Sequence, residues 1–169
     1  MKKEALKRIF QFLEEKGEHN MPFNFKLLNN EPLTKRDLNV EGSLYLATKN
    51  ITSLPKGLKV GGDLDLSYSK IRLLPKGLEV KGWLSLGVTL IESLPEGLKV
   101  GGNIYAYESN LSSLPKGLEV GGDLYLREVD LEKYSDEELR EMIKPGFIKG
   151  KIDRDYEDDN EVDDNYYVI

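Results

Sequence analysis

Two carboxylates one residue apart, Asp63 and Asp65, are the first candidates for chemistry. On an extended strand they share a face about 6.8 Å apart, within the range that separates the paired acids of glycoside hydrolases. Such a reaction needs a cleft, and nothing around the pair points to one, so solvated carboxylates on a β face are the simpler reading. Other reactive groups are scarce. The 169 residues include 0 cysteines and 1 histidine, which excludes disulfides, thiolate metal sites, Fe–S clusters, cysteine nucleophiles and multi-histidine zinc sites. That histidine, His19, lies in the polar linker Gly17-Glu18-His19-Asn20 and reads as a surface residue. The glycine pairs at 61–62, 101–102 and 121–122 read as turn glycines, without the Lys-Ser/Thr of a phosphate loop. The alternating acids Asp153, Asp155, Glu157 and Asp159 have the look of a calcium loop, but Asp158 stands where that loop needs glycine. The expectation is a protein that is not an enzyme and holds no cofactor and no metal.

The elements that position these residues come from repetition. A shift of 20 residues superimposes four consecutive blocks, beginning at Ile51, Ile71, Ile91 and Leu111, which is the signature of a solenoid. In each block a Leu-Pro pair (54–55, 74–75, 94–95, 114–115) is followed by glycine at 57, 77, 97 or 117, punctuation that stops a helix and permits a tight turn. Leu64 and Leu66 alternate with Asp63, Asp65 and Ser67, so a short strand points leucine inward and polar residues outward. Leu58 and Val60 repeat the alternation, which makes Leu54, Leu58, Val60, Leu64, Leu66 and Ile71 the expected core of one coil. A degenerate copy with Leu38, Val40, Gly42, Leu44 and Leu46 in register precedes the four. One coil is too small to offset the entropy of ordering its own backbone, so stacking of neighbours must supply the rest.

The run Leu84-x-Leu86-x-x-Thr89-x-Ile91-x-x-Leu94-Pro95 resembles the leucine-rich repeat, in the short Leu-Pro form found in bacterial effector proteins, over about residues 33 to 131. The family's asparagine position falls at Lys49, Ser69, Thr89, Ser109 and Val129, leaving a Ser/Thr ladder in the middle coils. The resemblance implies a right-handed parallel β solenoid of leucine-rich type and a protein-recognition scaffold. Some bacterial relatives carry a cysteine-dependent ubiquitin ligase domain, for which this chain has neither room nor cysteine. Similar Leu-Pro/Gly-Gly grammar in small cytosolic and phage-encoded proteins fits the length.

The expected organisation is a mainly β solenoid of about five coils with flanking helices. Residues 1–32 form an N-terminal helical cap and bridge, with Leu6, Ile9, Phe10 and Leu13 at helical spacing and Phe23, Phe25, Leu27 and Leu28 extended into the first coil. Residues 33–131 form the solenoid. Residues 132–152 form a C-terminal cap, with a capping box at Ser135 and Glu138 and a final strand through Phe147, Ile148 and Ile152. Residues 153–169 form an acidic tail too charged to pack: eight acids against Arg154 put a net −7 there, so of the total −6 residues 1–152 carry +1. That tail reads as a solvated disordered segment, a metal loop, or a partner motif built on Tyr156, Tyr166, Tyr167, Val168 and Ile169. No run reaches the ~18 apolar residues of a membrane span, no secretory signal opens the chain, and the absence of cysteine suits the cytoplasm.

Three outward columns follow from the 20-residue shift: Ser43, Asp63, Trp83, Asn103, Asp123; then Tyr45, Asp65, Ser85, Tyr105, Tyr125; then Ala47, Ser67, Gly87, Tyr107, Arg127. Packing does not dictate these slots, so large aromatics in them are either partner contacts or a stacked ladder that stabilises the sheet. The candidate protein-binding residues are Tyr45, Asp63, Asp65, Trp83, Tyr105, Tyr107, Asp123, Tyr125 and Arg127. A further column, Lys59, Glu79, Lys99 and Glu119, alternates in sign and reads as structural pairing. Lys56, Lys76 and Lys116 are too sparse for a nucleic-acid track. The expected function is a non-catalytic protein-binding module, an inhibitor or adaptor of a bacterial or phage setting. The alternative is an acidic nucleic-acid mimic that inhibits a DNA- or RNA-binding enzyme.

Overall fold

A computed structural model describes residues 2–15 and 21–155 of the chain. His19 and the tail from Tyr156 onward lie outside the described residues, as does the side chain of Leu13. The repeats build a parallel β solenoid of about four turns, in which every turn contributes one two-residue strand to each of two sheets. The first sheet orders β1 (Asn39–Val40), β3 (Lys59–Val60), β5 (Glu79–Val80), β7 (Lys99–Val100), β9 (Glu119–Val120) and β11 (Phe147–Ile148). The second orders β2 (Leu44–Tyr45), β4 (Leu64–Asp65), β6 (Leu84–Ser85), β8 (Ile104–Tyr105), β10 (Leu124–Tyr125) and β12 (Ile152–Asp153). Register follows the sequence period: Leu44 faces Leu64, Leu64 faces Leu84 and Leu84 faces Ile104.

Between the two sheets lies the core. Leu54, Leu58, Val60, Leu64, Leu66 and Ile71 are all buried, as are their equivalents one, two and three turns on, among which Ile104 and Ala106 replace strand leucines and Leu111 and Leu131 take the Ile position. The Pro-x-Gly turn behaves as its residues require, with Gly57, Gly77, Gly97 and Gly117 in left-handed backbone at φ between 68° and 77°. A second left-handed slot recurs at Thr48, Tyr68, Val88, Glu108 and Glu128, where no glycine is used. At Val88 (φ 54°) a β-branched side chain occupies a conformation that disfavours it, so this corner carries strain. The pairs at 61–62, 101–102 and 121–122 lie at the bend expected of them, between the two strands of each turn, and answer a second need as well. None has the left-handed φ of the Pro-x-Gly glycines, and their Cα atoms lie against the backbone of the preceding turn.

Four expectations change. Residues 23–28 are not extended: α2 (Phe23–Leu28) follows Pro22, and Phe23 and Leu27 rest against the core. In the N-terminal helix α1 (Lys2–Glu15), Leu6 and Ile9 of the expected apolar stripe are exposed, and Phe10 is half-buried with its ring 5.1 Å from that of Phe25. At the other end the final strand is two strands, β11 and β12, which extend both sheets. The register there slips from 20 to 28 residues (Leu124 faces Ile152) because a 3-10 helix (Asp130–Lys133) and α3 (Asp136–Met142) are inserted. The capping box forms, with Ser135 Oγ accepting from Glu138 N and Glu138 reaching back to Ser135 N. Arg140 then donates to the carbonyls of Ile148 and Gly150, tying α3 to the last turn. The chain past 152 packs further than its charge predicts. Asp153 lies in β12, and Arg154 donates to Asp136 Oδ1 (2.7 Å) and Tyr134 O (2.9 Å).

Candidate functional site: an aromatic face on the second sheet

The outward positions of β2, β4, β6, β8 and β10 sit one turn apart, and the ladder behind them holds them to register. Leu64 N donates to Trp83 O (2.9 Å), Leu66 N to Ser85 O (3.0 Å) and Leu86 N to Tyr105 O (2.7 Å). On this frame the two aromatic columns merge into one line of rings. Tyr105 and Tyr125 stack at 4.9 Å with 13° between planes, Trp83 meets Tyr105 edge-on at 6.2 Å and 81°, and Tyr45 tilts toward Trp83 at 6.2 Å and 47°. Trp83 starts one residue before the tyrosine column, and its indole leans across the small Asp65 and Ser85 slots to bridge Tyr45 to Tyr105.

Tyr107 takes a third position. A Cβ at Gly87 would fall 2.2 Å from Tyr107 Cζ, so the phenol settles into the space that only glycine leaves. Burial pushes the Tyr107 hydroxyl above the usual phenol range, with Tyr68 and the carboxylates of Asp65 and Glu108 adding to the rise and a hydrogen bond with Ser85 opposing it. Burial also raises Tyr125, helped by Asp123 and opposed by Lys151. Both phenols therefore remain neutral and able to donate at ordinary pH.

Between Trp83, Tyr105, Tyr107 and Tyr68 the face dips into a hollow of about 410 Å³, with Asp65, Ser67 and Ser85 completing its lining. Asp65 Oδ1 accepts from Ser67 N (2.9 Å) and Ser67 Oγ (2.6 Å), which aims the carboxylate. Among the described residues Asp65 forms no ion pair, while the cations of the face are engaged: Arg127 with Glu108 at 3.1 Å and Lys151 with Asp153 at 2.7 Å.

The nine sequence candidates thus divide by role. Tyr45, Trp83, Tyr105 and Tyr125 form the line of rings, Asp65 and Tyr107 join Trp83 and Tyr105 around the hollow, and Arg127 turns to Glu108. Asp63 and Asp123 serve the frame. Trp83 N donates to Asp63 Oδ1 (3.0 Å) and Lys151 N to Asp123 Oδ1 (2.8 Å), and the same slot repeats the bond with Ser43 accepting from Asp63 N (3.0 Å) and Asn103 from Asp123 N (2.9 Å). A Cβ on Gly82 would lie 2.0 Å from Asp63 Oδ1, so that glycine makes room for the bond. Asp63 and Asp65 are therefore fastened to different neighbours and do not converge on a shared atom.

Tyr68, Ser67 and Ser85 are the site residues that sequence reading missed. Tyr68 stands in the fourth outward column, one residue past the third, and a reading of that column would have found the single aromatic among Thr48, Val88, Glu108 and Glu128. The Ser/Thr ladder expected between coils does not form between them: Thr89 Oγ1 donates to Leu86 O (2.7 Å) and Ser109 Oγ to Ala106 O (2.8 Å), each within its own turn, and Ser69 Oγ is buried without a partner. The sign-alternating column does pair across turns, Lys59 with Glu79 at 2.9 Å and Lys99 with Glu119 at 2.8 Å.

No protein-family model, curated protein or solved structure matches this chain. Among the described residues no cluster of His, Cys, Asp or Glu is arranged to hold a metal, and no helix is long and apolar enough to cross a membrane.

Proposed function

We propose that this protein is a non-catalytic interaction module that binds another protein through the aromatic face of its second sheet. The observation that carries the reading is the hollow beside the line of rings. A ladder kept only for stability would fill slots 65 and 85 with more tyrosine, each ring stacking on the next. Instead Asp65 and Ser85 are small and polar, Trp83 leans over them, and a recess opens beside half-exposed aromatics. Trp and Tyr in such a setting give large contact area for little side-chain entropy.

The scaffold in this reading is a right-handed solenoid of leucine-rich-repeat type with five coils, the first being the degenerate unit at Leu38–Leu46. The helices at either end act as caps. The Leu-Pro grammar and the Gly spacing support that kinship, and a cytoplasmic inhibitor or adaptor of bacterial or phage origin fits it.

The test is retention of proteins from an extract of the source organism, quantified by mass spectrometry, on wild type, on the triple variant Trp83→Ser/Tyr105→Ser/Tyr125→Ser, and on a truncation after Asp155. Hot-spot aromatics cost about 2 kcal/mol or more each, so a specific protein should be kept by wild type and by the truncated chain and lost by a triple variant whose circular dichroism is unchanged. Identical retention by wild type and triple variant overturns the proposal. Loss on truncation alone would favour the acidic nucleic-acid mimic.

A further inference from the structure

We infer that the hollow lined by Trp83, Tyr105, Tyr107, Tyr68 and Asp65 receives a cationic side chain, arginine or lysine, from the bound partner. This rests on the reading of the aromatic face as a binding surface and names the group that enters it.

Three features converge. The first is an aimed charge: Ser67 fastens Asp65 Oδ1 through both its amide and its hydroxyl, while among the described residues no cation pairs with the carboxylate. The second is the arrangement of π faces. Of the rings that line the hollow, Trp83 and Tyr105 meet at 81° and make walls rather than a flat platform, and a cation held over ring faces within about 6 Å of their centroids is attracted by the ring quadrupoles. A sugar stacks best on a coplanar exposed platform, which these rings do not offer. The third is charge over the whole face. Its first two outward columns, continued through the β12 turn, carry Asp63, Asp65, Asp123 and Asp153 against Lys151, and Arg127 stands in the third; both of those cations are already ion-paired. An approaching basic segment therefore meets a negative field that includes Asp65, the carboxylate in the lining of the hollow.

The chain's 1 tryptophan is Trp83, so indole fluorescence reports the hollow directly. The probes are the blocked peptides acetyl-Gly-Arg-Gly-amide and acetyl-Gly-Lys-Gly-amide, the neutral citrulline counterpart, and cellobiose. They are titrated into the full chain with Trp83 emission and the amide NMR signals of Ser67 and Ser85 as readouts. The arginine and lysine peptides should shift all three signals saturably, with the citrulline peptide and cellobiose weaker by about tenfold or more, as expected when a charge-assisted contact is removed. Asp65→Asn should lower affinity for both cationic peptides by about tenfold. The amide oxygen of that variant still accepts from Ser67, so its fold should persist by circular dichroism. The arginine–citrulline comparison needs no variant and decides the matter if Asp65→Asn fails to fold. Equal binding of arginine and citrulline peptides, preference for cellobiose, or cationic binding that leaves Trp83 unmoved overturns the inference. If cation preference fails while the triple Ser variant still loses its retained protein, only the cationic occupant is wrong; if the triple variant loses nothing, the binding face itself is wrong.

Discussion

Asp63 shows how one outward slot acquires a duty that alternation alone does not announce. Its Oδ1 takes the amide of Trp83 in the next turn, as Asn103 takes that of Asp123 and Asp123 takes that of Lys151. The slot needs a short side chain with an acceptor oxygen, and charge is incidental to it. Asp63→Asn should then leave stability within about 0.5 kcal/mol of wild type, while Asp63→Ala should cost about 1–2 kcal/mol by stranding a half-buried N–H. Urea denaturation of the two variants checks this, and equal losses for Asn and Ala would show that the carboxylate's charge is what matters. The alanine variant should also loosen Trp83, visible as a change in its emission, because the amide held by Asp63 is Trp83's own. The deviation at Ser69 belongs to the same scale: its buried hydroxyl lacks the carbonyl contact that Thr89 and Ser109 make, and the structure offers no compensating partner.

Among the elements, α2 and the turn after it are joined by one carboxylate. Asp37 accepts from Thr34 N (2.7 Å), Thr34 Oγ1 (2.7 Å) and Lys26 Nζ (3.0 Å), so the chain entering β1 is fixed to the helix before it. Burial alone would raise Asp37, but the hydrogen bonds from Thr34 and the nearby Lys26 ammonium outweigh it and hold the group below the usual carboxylate value. A lowered folded-state pKa adds stability that is present above the unfolded value of about 4 and disappears as pH falls through the folded one. Asp37→Asn should therefore cost about 1–2 kcal/mol at pH 7, with the gap from wild type closing as pH is lowered below about 4. Denaturation curves at pH 7 and pH 3 measure it, and a gap that is constant with pH would rule out the ionised carboxylate as the cause. The extended bridge expected at 23–28 failed for a related reason. Phe23, Phe25, Leu27 and Leu28 show alternation and helical spacing at once over so few residues, and contact of Phe23 and Leu27 with the core decides for the helix.

At the scale of the molecule, stability is a sum over turns and the contacts between neighbours, so a whole turn can be removed if register survives. Deleting residues 71–90 should leave a cooperatively folding, mainly β protein of lower melting temperature, with Asp63 now reaching the amide of Asn103. Far-UV circular dichroism and thermal melts test this, and a disordered product would mean that the turns are not interchangeable. The solenoid class, the inward leucines, the Pro-x-Gly turn and the Ser135 capping box were legible in sequence because each is local or repeats every 20 residues, and periodicity turns sequence distance into spatial neighbourhood. The sequence likewise displayed the outward columns that carry Trp83 and the tyrosines. Other features depend on where side chains lean once the turns are stacked. Trp83 leans from its own column toward Tyr45 and Tyr105, Tyr107 enters the gap left by Gly87, and Asp63 turns to the frame while Asp65 lines the hollow. The 28-residue slip that brings Ile152 beside Leu124 is likewise tertiary, since it depends on α3 being tucked aside so that both sheets continue. Columns follow from the repeat period, but rotamer choice between columns follows only from the space that neighbouring turns leave open.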